Sequence, residues 1–326
     1  MKALTYEKAH TLDAFAIELT EVAEPRLRDG DLLVEVRAIG INPGEATIRQ
    51  TRSAEPGGQV ILGWEFAGVV VAAGATGFAV GDRVMGTGDF TRDGCWAERV
   101  AVDHRVVAKI PDRLAFTEAA SLPIGVLTAW ESLFRDRDAL PAGVDRVLVI
   151  GGAGGVGSMA TQLLKATTPA FVISTASRPE SRKWATAMGA DLVVDHRGDL
   201  AGQLHAAGID HVDLVFSTSG TSGHLGAIAE VLRPFGHLAA SDLAEPFDPG
   251  ALTGKSLSLH SEMVFRAGGD VGSQGRILAR AADDVAAGRL RPIVTTTLDG
   301  LTAETMKTAH ALAESGRTIG KTVIQA

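Results

Sequence analysis

Gly152, Gly154 and Gly157 stand at the spacing G-x-G-x-x-G within VLVIGGAGGVGSMATQLLKA, after a short aliphatic run and before an apolar pattern of helical period. In that setting each glycine has its own task. The first permits a tight turn, the second lets a pyrophosphate approach the backbone, and the third lets the helix pack closely on its strand. Main-chain amides over Gly152, Ala153, Gly154, Gly155, Val156 and Gly157, at the positive end of a helix dipole, then favour a bound anion. The alternative is a glycine-rich turn without a ligand, and the strand–helix rhythm downstream argues for a dinucleotide instead.

The residues at the end of the next strand choose between dinucleotides. A site for NAD places Asp or Glu there, about 20 residues beyond the glycines, to accept from the ribose hydroxyls. Here the stretch is FVISTASRPESRK, with Ser177 and Arg178 at the turn and no acid before Glu180. A hydroxyl and a guanidinium suit a 2′-phosphate, which a carboxylate would repel. NADP(H) is the expected cofactor, against the plainer reading of Arg178 as a solvated turn arginine. Arg182 and Lys183 are expected on the following helix in solvent, within possible reach of the phosphate.

The elements that must carry these residues follow from the pattern. The first third reads as short alternating strands over 31–41, 66–74 and 96–103, with GDRV at 81–84 as a turn feeding a strand. From Thr117 the period lengthens into two helical pieces interrupted at Pro123 and Gly125. VLVI (147–150), FVIST (171–175), LVVDH (192–196), VDLVFST (212–218) and HLAAS (237–241) are then brief aliphatic runs separated by amphipathic segments such as 179–190 and 222–236. Strands of this texture lie in a parallel sheet covered on both faces by helices. A helix at 274–288, a strand in PIVTTTL, a helix in AETMKTAHALAESG and a strand in KTVIQA follow; they can extend this sheet or return to the first domain. The conformations of 44–60 and 86–95 do not follow from the pattern.

Composition narrows the function classes. A chain of 326 residues, 45% hydrophobic and 21% charged, has the balance of a folded two-domain protein. A formal net charge of −8 offers no general attraction to nucleic acid or anionic lipid, and no apolar stretch is a spanning helix. The amino terminus has no export signal, and the single cysteine, Cys95, can form neither an internal disulfide nor a multi-thiolate zinc site. A cytoplasmic protein without structural metal, nucleic-acid partner or membrane partner is expected. Cys95 reads as a small buried residue with no neighbouring base to make it a nucleophile.

Taken in order, the β-rich first third, GDRV, TEAASLPIGVLTAWESL, GGAGGVGSMATQLLK, ASRPES and ESGRTIGKTVI resemble the medium-chain dehydrogenase/reductase superfamily, over essentially the whole chain. Within it the sequence is most similar to the zinc-independent quinone oxidoreductases, including members called zinc-type alcohol dehydrogenase-like. The resemblance implies an α/β fold: a GroES-like β-rich catalytic domain from residues 1–125 and 266–326, and a Rossmann doubly wound parallel sheet domain for NADP(H) at 126–265. It implies a cofactor in the cleft between them and a homodimer formed through the nucleotide-binding domains.

Zinc-dependent relatives carry G-H-E-x-x-G and a metal-ligating cysteine. Here Gly63-Trp64-Glu65-Phe66-Ala67-Gly68 replaces the histidine with an indole that has no lone pair to give, and the cysteine near Asn42 is missing. What remains is metal-free hydride transfer from NADPH to a quinone, an enone or an aldehyde. The alternatives are an NADPH-binding protein with little turnover and a zinc alcohol dehydrogenase.

Asn42 matches the family's active-site asparagine, placed for a carbonyl or the nicotinamide ribose; as Asn-Pro it can instead make a local turn. Thr47 stands where this branch often has a tyrosine, which leaves the proton donor open. Trp64 is expected as an apolar wall of the cleft or as plain core. Thr128 matches a threonine near the nicotinamide, against a bond back to its own turn. His196 matches a position approaching the adenosine, and Ser217 and Thr218 end the fourth strand, where ligands collect. His260, Glu262 and Phe265 lie where the family's chain passes the nicotinamide. Arg317 and Lys321 resemble a basic segment that closes over the cofactor, against ordinary surface positions.

Overall fold

In the computed structural model, residues 1–135, 138–243, 245–265 and 272–326 are described. They form two compact units: Met1–Ile124 with Phe265–Ala326, and Gly125–Val264. The boundary expected at residue 266 falls outside the described residues.

The second unit is built on a six-stranded sheet in the spatial order Leu192–Val194, Phe171–Thr175, Arg146–Ile150, Val212–Ser217, Leu232–Ala240, Ser258–Ser261, with every pair parallel. Counted along the chain this order is 3-2-1-4-5-6, the doubly wound arrangement of a Rossmann fold. Strands such as Arg146–Ile150 and Val212–Ser217 are buried almost throughout, because helices cover both faces. The order reverses between Arg146–Ile150 and Val212–Ser217, so the loop leaving Ile150 opens at the sheet's switch point. That loop is the glycine run.

The first unit is a GroES-like β-rich fold. Its seven-stranded sheet runs Val294–Asp299, Lys321–Gln325, Asp31–Gly40, Glu65–Ala73, Arg83–Thr87, Val107–Lys109, with Arg99–Asp103 also paired to Asp31–Gly40. The carboxy-terminal strands therefore return to the first unit, where Lys321–Gln325 pairs antiparallel with Asp31–Gly40. That pairing brings the two ends of the sequence together. Leu32, Val34, Phe66 and Trp96 lie in its core.

Three local expectations are corrected. Pro123 does not interrupt a helix but opens one, Pro123–Leu133, since its missing N–H is harmless in a first turn. Gly125 lies inside that helix, where a Cβ would stand 3.0 Å from Met159 Cγ, so it marks close packing and not a break. The segment 222–236 is a helix only over Thr221–Val231; LRPFG already belongs to the strand Leu232–Ala240, with Phe235 at φ 59° where the pairing register shifts.

Candidate functional site

The glycine turn follows Ile150 and leads into the helix Gly155–Thr167, whose cap residue, Gly154, contributes no capping side chain. The tight turn is made by Gly151, at φ 79°, not by Gly152 as the motif spacing suggests. A Cβ on Gly152 would lie 2.6 Å from Ser174 Cβ, so this glycine lets the turn lie against the strand Phe171–Thr175. A Cβ on Gly157 would lie 2.3 Å from the Gly151 carbonyl oxygen, which is the close helix–strand approach expected of the third glycine. Gly154 differs. Its φ is −76° and a Cβ would meet nothing nearer than 3.5 Å, so neither conformation nor packing requires a glycine there. The bare backbone at 154 suits a ligand at the first-turn amides of Gly155, Val156 and Gly157, with Ala153 nearly buried beneath.

Surrounding residues hold this turn in shape. Thr175 takes both sides of it, accepting from Gly151 N through its hydroxyl at 3.1 Å and from Gly152 N through its carbonyl at 3.2 Å. Thr218 donates its hydroxyl to Ile150 O at 2.9 Å, beside Gly151. Ser217 is fully buried and accepts from the Thr221 hydroxyl, which commits it to the interior.

At the end of Phe171–Thr175, Ser177 and Arg178 are partly exposed, and Arg178 caps the helix Pro179–Ala187. Arg178 Nε lies 3.1 Å from Glu180, so the first acid after the strand folds back onto the guanidinium. Arg182 lies exposed on that helix, as expected, and its guanidinium also donates to the carbonyls of Ala176 and Val193, tying two strand ends together. A cation unforeseen in the sequence stands here, Arg197, which pairs with Asp195 and donates to Ser177 O at 2.7 Å. His196 meets His224 edge-on, and burial followed by the charge of His224 holds its pKa below the usual value. Its Nδ1 is buried without a partner. In the same unit Thr128 is buried on Pro123–Leu133, and His260 Nε2 lies 3.3 Å from Glu262.

The first unit holds a buried polar cluster. Lys321, 5% exposed, donates from Nζ to Glu65 Oε2 and to Asn42 Oδ1, each at 2.5 Å. Asn42 Nδ2 donates to Glu65 Oε2 at 3.0 Å, and Glu65 Oε1 accepts from Ile124 N at 2.7 Å. Asn42 caps the helix Pro43–Thr51 by position, but its amide turns to Glu65 and Lys321. The cap is supplied in reverse by Glu45, which accepts from Asn42 N at 2.9 Å and from Trp64 N at 3.2 Å. Burial pushes the Glu45 carboxyl up to about 8, against the pull of those amides and of Lys321. Thr47, on the same helix, is exposed and is not among the partners of this cluster. Trp64 is buried and stacks on Phe90 at 5.2 Å and tilts against Phe265 at 5.7 Å. Arg317 is exposed on the turn before the last strand.

The alcohol dehydrogenase GroES-like domain family matches residues 28–112, and the zinc-binding dehydrogenase family matches residues 188–324. A zinc-type alcohol dehydrogenase-like protein of Staphylococcus aureus is 34% identical, over 99% of both chains. This chain belongs to the medium-chain dehydrogenase/reductase superfamily. It is an oxidoreductase of that superfamily, and it is similar to further members. A 2-methylene-furan-3-one reductase of Solanum lycopersicum is 28% identical over 99% of this chain and 79% of its own. Among solved structures, one from Rhizobium etli named for zinc-dependent alcohol dehydrogenases is similar at TM-score 0.95 and 36% identity, covering 100% of this chain and 98% of that one. A quinone oxidoreductase of Coxiella burnetii is similar at TM-score 0.82 and 26% identity, with 100% and 99% covered. A mycobacterial protein solved with NADPH is similar at 0.84 and 26%, with 100% of both covered.

The zinc in some of these names does not fit the residues here. Trp64 Nε1 is a donor only, and both oxygens of Glu65 and of Glu45 are taken by the contacts above. Cys95 is fully buried, and burial, with Glu45 nearby, pushes its thiol well up. Among the described residues no three His, Cys, Asp or Glu side chains gather as a metal site. Glu65, which the sequence shows only as part of the motif Gly63–Gly68, is the hub of the Asn42–Lys321 cluster. Glu45 had a legible signal: N-P-G-E is a capping box with proline at the first helical position, and it marks the helix Pro43–Thr51.

Proposed function

We propose that this oxidoreductase uses NADPH and, without a metal ion, reduces a quinone or an α,β-unsaturated carbonyl compound. Gly154 carries the reading: it is the one glycine of the three motif positions that the fold itself does not require, so its missing side chain is explained by a pyrophosphate on the helix amides. The residues that would hold the cofactor are Gly152 to Gly157, Thr218, Ser177, Arg178 and, as an addition, Arg197. Ser177 and the two arginines stand where a carboxylate would select NAD, which supports the 2′-phosphate. Residues 126–265 are assigned to the cofactor, and 1–125 with 266–326 to catalysis.

When bound, the nicotinamide supplies a hydride. The chain's own part is electrostatic. Asn42 has used one amide N–H on Glu65, and Lys321 has used two of its three donors, so each retains a donor for a substrate oxygen that gains negative charge. Glu65 holds both in place. Thr47 is exposed and is not needed in this scheme, and Trp64 with Phe265 supplies an apolar wall. The solved relative with NADPH, the quinone oxidoreductase and the furanone reductase support cofactor and substrate class.

Ser258–Ser261 is an edge strand with Leu259 exposed, which supports a homodimer through that sheet. No helix among the described residues is long and apolar enough to cross a membrane, and a lone cysteine suits the cytoplasm. The test is loss of reduced-nicotinamide absorbance with NADPH or NADH across quinones, enones and aldehydes, with metal analysis of the purified protein. Turnover with NADPH and no stoichiometric zinc supports the proposal. Tight NADPH binding without turnover on any of them points to a binding protein, and stoichiometric zinc to an alcohol dehydrogenase.

A further inference from the structure

We infer that the first unit carries a separate binding site for an amphiphilic carboxylate, an apolar or aromatic body ending in one acid group. A cavity of about 1090 Å³ opens between the segments around 22–28, 52–61 and 90–93. Its lining combines the apolar Val22, Val60, Ile61 and Phe90 with the cationic Arg26, Arg28, Arg52 and Arg92. So large a space exceeds what a bare anion needs and matches a drug-sized molecule.

The charges of the lining do not cancel. Arg92 is held by Asp31 at 2.7 and 3.0 Å, Arg28 faces Asp89 at 3.6 Å, and Glu24 is taken by Arg99 at 2.7 Å. Arg26 and Arg52 have no carboxylate within ion-pair distance among the described residues. Arg52 is half-buried and lies over the Phe90 ring, 4.5 Å from its centroid, and 5.8 Å from that of Trp64. Among the described residues its guanidinium makes one hydrogen bond, to Phe90 O, and that is long at 3.4 Å. A guanidinium over a ring face leaves N–H groups for a planar acid, and a carboxylate can accept from two of them in bidentate fashion. Asp93, exposed, is the acid of the lining left to oppose such a ligand.

The lining includes none of Asn42, Glu65 and Lys321, although Phe90 backs onto Trp64 and Phe265. Arg52 follows the carboxyl end of Pro43–Thr51 and Asn42 caps its amino end, a separation of about 15 Å along the helix. Its occupancy does not depend on the cofactor reading, and the test omits nicotinamide. Calorimetric titration of the full chain with octanoate, 1-octanol and inorganic phosphate compares acid with body. The inference expects one saturable octanoate site, with the alcohol and phosphate at least roughly tenfold weaker.

Arg52→Gln and the exposed Arg26→Gln should each weaken octanoate roughly tenfold, Arg52→Lys should not restore it, and Asp93→Asn should tighten it. Melting temperatures identify any variant that fails to fold; if Arg52→Gln does, Arg26→Gln and Asp93→Asn, both at exposed positions, decide. No octanoate binding, equal binding of octanol, or binding indifferent to Arg26→Gln and Asp93→Asn would overturn the inference.

Discussion

The two units make their sites in opposite ways. In the parallel-sheet unit the chemistry lies in side chains that are missing, within a few consecutive residues at the sheet's switch point. In the β-rich unit it lies in charged side chains that are present and buried, with Asn42 and Lys321 separated by 279 positions and joined through Glu65. The first kind of site admits no added atom at Gly152 or Gly157, while the fold leaves room for one at Gly154. The second tolerates change in shape but not loss of one charge, because whatever remains is stranded away from water.

Substitutions can break this contrast. The largest effect is expected for Lys321→Met, which leaves the buried Glu65 without its cation and should cost about 3–5 kcal/mol in a denaturant titration. Adding Glu65→Gln should recover part of that loss; full additivity of the two changes would show that the pair is not coupled. Gly157→Ala comes next, at about 1–3 kcal/mol, since its methyl group meets the Gly151 carbonyl.

A pH effect of about 2 kcal/mol between pH 7 and 5 is expected from His310. Its Nδ1 accepts from Arg49 Nη1 at 2.9 Å, and burial, then the charge of Arg49, lowers its pKa to about 3. The unfolded chain takes up a proton below about 6.5 while the folded chain does not, so stability falls as pH falls through that window. The fall should be absent in His310→Ala, as read from urea midpoints at a series of pH values. The smallest effect is one of preference: Arg178→Gln should lower the ratio of NADPH to NADH affinity roughly tenfold while leaving NADH binding intact, with Arg197 retaining part of the selectivity.

Legibility in the sequence follows the same contrast. The strands around the glycine turn were readable because burial on both faces leaves uninterrupted aliphatic runs, and FVIST matches its strand residue for residue. Local signals failed where one residue type serves two ends. Pro123 and Gly125 looked like breaks but serve a helix start and a helix contact, and LRPFG carried a helical pattern into a strand. Gly151 was passed over because the motif begins one residue later, while the backbone makes its positive-φ turn at the earlier glycine. The Asn42–Glu65–Lys321 cluster had no spacing to read, since antiparallel pairing of the last strand with Asp31–Gly40 creates it. Glu180 comes two residues after Arg178, and only the structure shows its carboxylate turned back onto that guanidinium.

The central claim is that the fold leaves Gly154 bare for a ligand and not for itself. Calorimetric titration of Gly154→Ala with NADPH, beside its melting curve, tests this most directly. The account predicts stability within about 1 kcal/mol of the parent and NADPH affinity reduced tenfold or more. Unchanged NADPH affinity in a folded Gly154→Ala protein, or no NADPH binding by the parent, would contradict it.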